Sequence, residues 1–335
     1  MPTVSIVVSC YNAASFVSAT VDSVLAQTRN DWELHLVDDG SKDDTWKIIE
    51  NYARLDSRIV AYRKNNAGTA HTRNYGFDQT NPDAPYVIFL DHDDLLESHV
   101  LSRLCDYIDA HPDVGLLSFQ FEYISAEGVR LGTGHRSRWC PGRFGPRKMR
   151  DSEIPTPFVT FFCATGQGPF ALYRRSVYLQ TEGWETRFWP HEDTDMFCQM
   201  ALRTTVHALP DRLYLKRILP IQGLSDHARI QRAYRGFRIK WGQRIPRNEH
   251  EAAMLSQARI YYRTAHRPLR DVKTAYRRFQ RFSKQPSVQN LRLVWVKLSA
   301  AFHGMIILRT KWLIRKMKRS KLPRSLSDLT PRSDL

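Results

Sequence analysis

Short apolar runs rich in β-branched residues alternate with amphipathic stretches along the first 121 residues. Val4–Val8, Trp32–Val37, Ile59–Tyr62, Tyr86–Leu90 and Val114–Phe121 have the length and composition of buried strands. Between the first two, Phe16, Val21, Val24 and Leu25 fall on one helical face, and Asn12 is of a type that caps helix starts. After Asp44, the residues Trp46, Ile49 and Tyr52 recur every third position. Ala70–Asp78 reads as a short helix, and Leu95–Ala110 as a helix that stops before Pro112. This alternation predicts an α/β fold, Rossmann-like, with a mixed but mostly parallel sheet and helices on both faces. Residues 122–165 are richer in Gly, Pro and Arg and read as loops over the carboxyl edge of the sheet. Regular structure resumes at Phe170–Tyr173 and then at Ser176–Thr181, and a helix follows Glu192.

Charge divides the chain where hydropathy does not. Of the 335 residues, 1–225 carry 23 basic and 28 acidic side chains, whereas 226–322 carry 25 and 4. The chain therefore reads as a mildly acidic body (1–121 and 122–225 as two halves), a basic helical extension over 226–322 and a flexible tail over 323–335. Cys10, Cys105, Cys140, Cys163 and Cys198 are scattered, odd in number and without a CxxC pair, which suits reduced thiols rather than a disulfide frame or a zinc site. The first strand begins at once, so no targeting segment is expected before it. The longest apolar stretch, Leu298–Leu308, is too short to span a bilayer. These features predict a cytoplasmic protein.

Three acidic knots carry the chemistry: Asp38-Asp39, Asp91-His92-Asp93-Asp94 and Glu192-Asp193-Thr194-Asp195. The first two terminate strands. In a parallel sheet the ligand crevice lies beyond the carboxyl ends of the strands, so they should converge there with Ser9-Cys10-Tyr11-Asn12. Concentrated carboxylates at a sheet rim call for a hard divalent cation carrying a phosphorylated ligand. No GxGxxG follows the first strand, and the Gly40-Ser41 turn lacks a Walker lysine, which disfavours dinucleotide and P-loop readings. The plain alternative is that these carboxylates start turns and cap helices. Asp43, Asp44 and Thr45 are the better cap candidates near the first knot, and Asp94 reads more as a cap than a ligand.

The order Ser5–Asn12, Val37–Thr45, Asn66-Ala67-Gly68 with Arg73-Asn74-Tyr75-Gly76, Phe89–Asp94, Gly183-Trp184 and Glu192-Asp193 resembles glycosyltransferase family two, whose fold is GT-A. The resemblance covers roughly the first 225 residues. It implies an inverting enzyme that transfers a sugar from a nucleoside diphosphate to an acceptor hydroxyl. It implies a donor site of Ser9, Tyr11, Asn12, Asp39, Asn66, Arg73, Asp91 and His92, with Asp39 on the nucleobase. A carboxylate there suits the N3–H of uracil or thymine or the N1–H of guanine, and uracil is favoured. His92 is expected on the other side of its extended segment, and Arg73 near the donor phosphates. Asp93, with Asp91, would hold Mn²⁺ or Mg²⁺, since only oxygen ligands are offered. Asp193 would be the general base, with Glu192 its rival. Trp184 and Trp189 would offer aromatic faces to the acceptor sugar. The Arg-x-His of many relatives is missing, since Arg217-Ile218-Leu219 stands in its place.

In the basic extension, Arg and Lys interleave with Tyr, Phe and Trp, as in Tyr234–Trp241 and Lys311–Arg319. This pattern suits an anionic membrane surface, and peripheral attachment at the inner face of the cell membrane is expected, with a glycan or glycolipid as acceptor. Helices packed on the body and nucleic-acid binding remain alternatives for the extension, nucleic acid the least favoured. A nucleotide-sugar-binding protein without catalysis is the alternative for the body.

Overall fold

The computed structural model describes residues 1–132, 171–219, 227–249 and 251–256. The chain divides into two compact units, Met1–Ala258 and Arg259–Leu335, and the second lies outside the described residues. In chain order the first unit holds β1 (Val4–Cys10), α1 (Val17–Leu25), β2 (Trp32–Asp38), α2 (Thr45–Leu55), β3 (Ile59–Arg63), α3 (Thr69–Asp78), β4 (Tyr86–Asp91) and β5 (Leu95–Leu96). It continues with α4 (Val100–Asp109), β6 (Val114–Ile124), β7 (Arg130–Gly132), β8 (Ala171–Arg174), α5 (Arg175–Tyr178), α6 (Glu192–Ala201), β9 (Thr205–Arg217) and α7 (His227–Gln243).

The nine strands among the described residues form one sheet in the order β3-β2-β1-β4-β8-β6-β9-β5, with β7 on β6. All seven residues of β1 are buried, as a central strand requires. It pairs in parallel with β2 and β4, in a register that sets Cys10 opposite Asp38 and Ser9 opposite Asp91. Both acidic strand ends are thus neighbours of the end of β1.

The two faces of the sheet bury different partners. Ile6, Val8, Leu34, Leu36, Ile88 and Leu90 share a core with α1, α2 and α4 through Val21, Ile49 and Leu104. The opposite face carries Val7, Val37 and Phe89. There α3 approaches so closely that a Cβ on Gly76 would meet Val7 Cγ1 at 2.5 Å and Val37 Cγ2 at 3.1 Å. This close approach sets Arg73, one turn earlier, over the sheet rim.

Several expectations change in three dimensions. In the strand order, which the alternation leaves open, β8 runs antiparallel between β4 and β6, pairing Ile88 with Leu172 and Leu172 with Leu117. Leu95-Leu96 do not open a helix, because their backbones pair with Leu215 and Tyr214 of β9. Helix α4 begins only at Val100, and Asp94 caps nothing. Asn12 does not cap α1 either. It sits at φ 48°, in the left-handed region, and α1 starts after Phe16. The thirteen-residue strand β9 was not anticipated, since Pro210 interrupts its apolar pattern. Helix α7, assigned by charge to the extension, lies within the first unit.

Candidate active site

Asp38 and Asp39, adjacent in sequence, have separate tasks. Asp38 is fully buried, and its Oδ1 accepts from Ser41 N at 3.0 Å while Arg63 Nε lies 3.1 Å from Oδ2. Asp39 turns to the following loop. Its Oδ1 accepts from Ala67 N (2.9 Å) and from Lys64, and its Oδ2 from Gly68 N (2.8 Å). Asn66 donates to the Asp39 carbonyl at 3.0 Å. Gly68, at φ 92°, is the residue that lets this loop turn into α3. Asn12 closes the same corner: its N–H donates to Ser41 Oγ and its Oδ1 accepts from Lys42 N, each at 2.9 Å. Asp43, as the sequence suggested, holds the start of α2 through Thr45 N. Ser9 is buried beneath this corner, and Tyr11 is exposed at its edge.

The second and third acidic knots meet on Arg73. Its Nη2 donates to Asp91 Oδ1 at 2.8 Å, its Nη1 to Asp193 Oδ1 at 2.9 Å, and Glu192 Oε1 lies 3.8 Å from Nη1. Residues 73, 91 and 193, far apart in the chain, thus share one centre. Arg73 is only 3% exposed, and its guanidinium lies 4.4 Å from the centroid of the Trp184 ring. In this structure both terminal nitrogens of Arg73, expected near the donor phosphates, donate to carboxylates. The expectation for Trp184 is corrected. It is 1% exposed and packed edge-on against Phe89, so it supports Arg73 from below and offers no face to a sugar.

One guanidinium serves the buried Glu192 and Asp193 and the half-buried Asp91 unequally. Burial pushes Asp193 up to about 8 against the pull of Arg73, and the neighbouring Glu192 and Asp91 push the same way. Burial also raises Glu192. Burial opposes the ionisation of Asp91 too, but Arg73 and then Lys216 outweigh it and hold Asp91 below the usual carboxylate range. Of the three, Asp193, at the start of α6, holds a proton to the highest pH.

Asp91, Asp93 and Asp94 each bring an oxygen within 4.8 Å of the others. All donors are carboxylate oxygens, and Asp94 Oδ2 is buried without a hydrogen bond among the described residues. That set fits a hard divalent cation and does not fit zinc. Burial raises Asp93, with Asp91 adding to it, and raises Asp94 to about 7. His92 turns away from the triplet and donates from Nδ1 to the Ser9 carbonyl at 2.9 Å. Arg217 does not face outward. Its N–H donates to Asp94 Oδ1 (2.7 Å), and its guanidinium donates to the carbonyls of Asp93 (2.7 Å) and Ala126 (2.6 Å). It props the acidic turn. Besides Arg73, which holds Asp91, Lys216 faces the triplet, 3.7 Å from Asp94 Oδ2. Sequence reasoning missed it, because the signal, one Lys beside an expected Arg, gains meaning only once β9 is seen.

Asp195 stands apart from this centre. Fully buried, it accepts from Lys240 Nζ (2.9 Å), Trp241 Nε1 (2.8 Å) and Gln199 Nε2 (2.8 Å), and so anchors α7. Trp189 is half-buried beneath Arg229, 4.5 Å from its guanidinium carbon. With Phe188, Arg232 and Ile239 it lines a groove of about 570 Å³ beside the start of α6. The stretch 220–225, the loop segment 133–165 and the basic clusters beyond residue 258 lie outside the described residues. Among those described, no helix is long and apolar enough to cross a membrane.

Comparison with known proteins agrees with this geometry. The protein y4gI of Sinorhizobium fredii is 33% identical over 226 residues, which are 65% of this chain and 23% of that protein. The uncharacterized glycosyltransferase EpsJ of Bacillus subtilis is 38% identical over 106 residues, 32% of this chain and 30% of EpsJ. The matches span less than a third of the length of these relatives. Among solved structures, S. aureus TarS 1-349 in complex with UDP-GlcNAc shares the fold at a TM-score of 0.58 and 16% identity, over 91% of this chain and 81% of that one. The mannosyltransferase PcManGT from Pyrobaculum calidifontis, in complex with GDP-Man and Mn²⁺, does so at 0.61 and 16%, over 91% and 86%. The family model for glycosyl transferase family 2 matches residues 5–180, and with it the strand ends and loops just described, so the chain belongs to that family and has the GT-A fold.

Proposed function

We propose that this chain transfers a sugar from a nucleoside-diphosphate sugar to an acceptor hydroxyl with inversion at the anomeric carbon. The observation that carries the reading is the bridge through Arg73, which sets the candidate base Asp193 in one centre with the strand-end carboxylate Asp91. The acceptor oxygen forms its bond to the anomeric carbon as the bond to the β-phosphate oxygen breaks. The acceptor proton passes to Asp193, and the leaving nucleoside diphosphate takes the bonding electrons. Glu192 is the rival base; it lies 3.8 Å from Arg73 Nη1, against 2.9 Å for Asp193. Asp91 and Asp93, with Asp94 beside them, would hold Mn²⁺ or Mg²⁺. When bound, such an ion neutralises charge that develops on the departing diphosphate.

Asp39 serves the nucleobase in this reading. Its Oδ1 already accepts twice and its Oδ2 once, which leaves one lone pair on Oδ2 for a ring N–H. That favours uracil-type bases and guanine over adenine. Ser9, Tyr11, Asn12, Asn66 and His92 shape the surrounding corner. The acceptor would be a glycan or glycolipid approaching past Trp189, whose half-exposed ring lies beside the start of α6. Attachment to an anionic membrane surface through the basic residues beyond 226 is part of the same proposal, and would place the enzyme at the inner face of the cell membrane.

The test is a thermal-shift screen of UDP-, GDP- and dTDP-sugars with and without Mn²⁺. Stabilisation by one nucleotide class, strengthened by the metal, is the expected result. No stabilisation by any of them, with or without metal, would remove the donor site from this reading.

A further inference from the structure

The groove beside the start of α6 is lined by charge of one sign. Arg187, Arg229, Arg232 and Lys240 contribute to its walls together with Phe188 and Trp189, and among the described residues no carboxylate does. Packing fixes its two sides to each other. Helix α7 approaches the 186–189 segment so closely that a Cβ on Gly236 would meet Phe188 Cε1 at 2.9 Å. Lys240 and Trp241 of α7 both donate to the buried Asp195 of α6.

The cations of the groove are not equivalent. Arg187 donates to Glu185 through Nε and Nη2, at 2.8 and 2.7 Å, and Lys240 to Asp195 at 2.9 Å. Arg229 and Arg232 are exposed and stand at i and i+3 on α7, hence on one helical face. The Arg229 guanidinium lies 4.5 Å from the centroid of the Trp189 ring, a contact that positions a cation without neutralising it. Like charges at this spacing repel, so an anion in the groove relieves a cost as well as accepting hydrogen bonds. A neutral sugar calls for aromatic faces and hydroxyl partners, not for such charge. A concave groove of about 570 Å³ suits a chain segment better than a bilayer surface. Its wall also runs directly into the candidate base: the Phe188 carbonyl accepts from His191 N, and His191 precedes the helix start that carries Asp193.

We propose that this groove is the acceptor subsite for an acidic glycan, in which Arg229 and Arg232 bind carboxylate or phosphodiester groups while a hydroxyl of a neighbouring unit reaches Asp193. The inference rests on the nucleotide-sugar reading above and names the class of acceptor within it. It assigns these two arginines to the acceptor and leaves attachment to lipid to other basic residues beyond 226. A guanidinium fork matches the oxygens of carboxylate and phosphate alike, so charge defines the class and experiment picks the member. Because both arginines are exposed, binding weakens as salt is raised.

The experiment is a calorimetric titration of the full-length chain with three oligomers of matched length: an oligogalacturonate for carboxylates, an oligo(glycerol phosphate) for phosphodiesters and a neutral malto-oligosaccharide. UDP with Mn²⁺ is titrated alongside. Arg229→Gln and Arg232→Gln each remove a charge from the groove, and Arg235→Gln removes one from the same helix outside it. Melting curves identify any variant that does not fold, and the comparison of oligomers on wild type needs no variant. Wild type should bind one of the acidic oligomers at least about tenfold tighter than the neutral one. Each groove variant should lose about tenfold of that affinity, and Arg235→Gln should stay near wild type. Equal losses in all three variants would mean diffuse charge and would overturn the groove. Equal affinity for the neutral oligomer, or no binding of either acidic one, overturns the acidic acceptor, and the donor reading stands if UDP binds. If the groove variants lose binding to phosphatidylglycerol vesicles or to a short RNA while wild type binds no oligomer, the arginines serve that partner and the inference is overturned. If wild type binds an acidic oligomer but not UDP, the donor reading falls and takes the acceptor role with it.

Discussion

Arg73 and Asp193 are 120 residues apart in the chain and joined by a 2.9 Å hydrogen bond in a buried position. The bond links α3 to α6 across the rim of the sheet. Because the same guanidinium also holds Asp91, one side chain aligns the strand-end carboxylate with the carboxylate of the helix start. Such a bridge is more valuable for geometry than for net stability, since both partners lose their hydration on burial. Removing one partner is a different matter, because the others stay buried and unpaired.

Arg73→Met should therefore destabilise the fold by about 3–5 kcal/mol. Arg73→Lys should recover only part of the loss, because a point charge cannot serve Asp91 and Asp193 in the same geometry. Urea unfolding of the three proteins checks this. A Met variant as stable as wild type would mean that the carboxylates find other partners.

Asp193→Asn should lower kcat for sugar transfer by about 10²–10⁴, the usual weight of a general base, and leave the affinity for the nucleotide largely intact. Glu192→Gln should cost much less. Reversal of this ranking, measured with one donor and one acceptor, would hand the role of base to Glu192.

The raised Asp193 also gives a signed pH dependence. Transfer needs the carboxylate ionised, so the rate should climb with pH and level off above about 8. Stability should run the other way. The folded state binds this proton more tightly than the unfolded chain does, so the contribution is complete below the ordinary carboxylate range and is lost as pH rises through about 8. Asp193→Asn should flatten both profiles over that window, as read by initial rates and by denaturant midpoints.

Asp195→Ala should detach α7 from the body. It leaves Lys240, Trp241 and Gln199 without their shared acceptor, at a cost of about 3 kcal/mol or more. Binding of UDP should change little, because no element of the Asp39 corner touches Asp195. A simultaneous loss of nucleotide affinity, followed by calorimetry, would show that α7 belongs to the donor site.

Gly76→Ala tests the seat of Arg73. The added methyl would meet Val7 Cγ1 at 2.5 Å, and α3 would have to lift from the sheet at about 1–3 kcal/mol. The melting temperature should fall, and transfer should fall further than stability alone explains, because Arg73 moves with the helix.

What the sequence determined by itself was local and one-dimensional. β-Branched runs marked β1 to β4 and β6, since a doubly buried strand has little choice of side chain. The strand-end acids Asp38, Asp39, Asp91 and Asp93 followed, because a parallel sheet gathers its carboxyl ends at one edge. Tertiary structure decided everything that depends on who lies beside whom. It inserted β8 between β4 and β6, and it turned Leu95-Leu96 from helix to strand through pairing with β9. Burial and neighbouring charge, absent from a linear pattern, made Arg73 a bridge and Trp184 its support, turned Arg217 inward and brought Lys216 to the acidic triplet. A side chain's type is written in the chain, but its electrostatic partners are set by packing between segments more than a hundred residues apart.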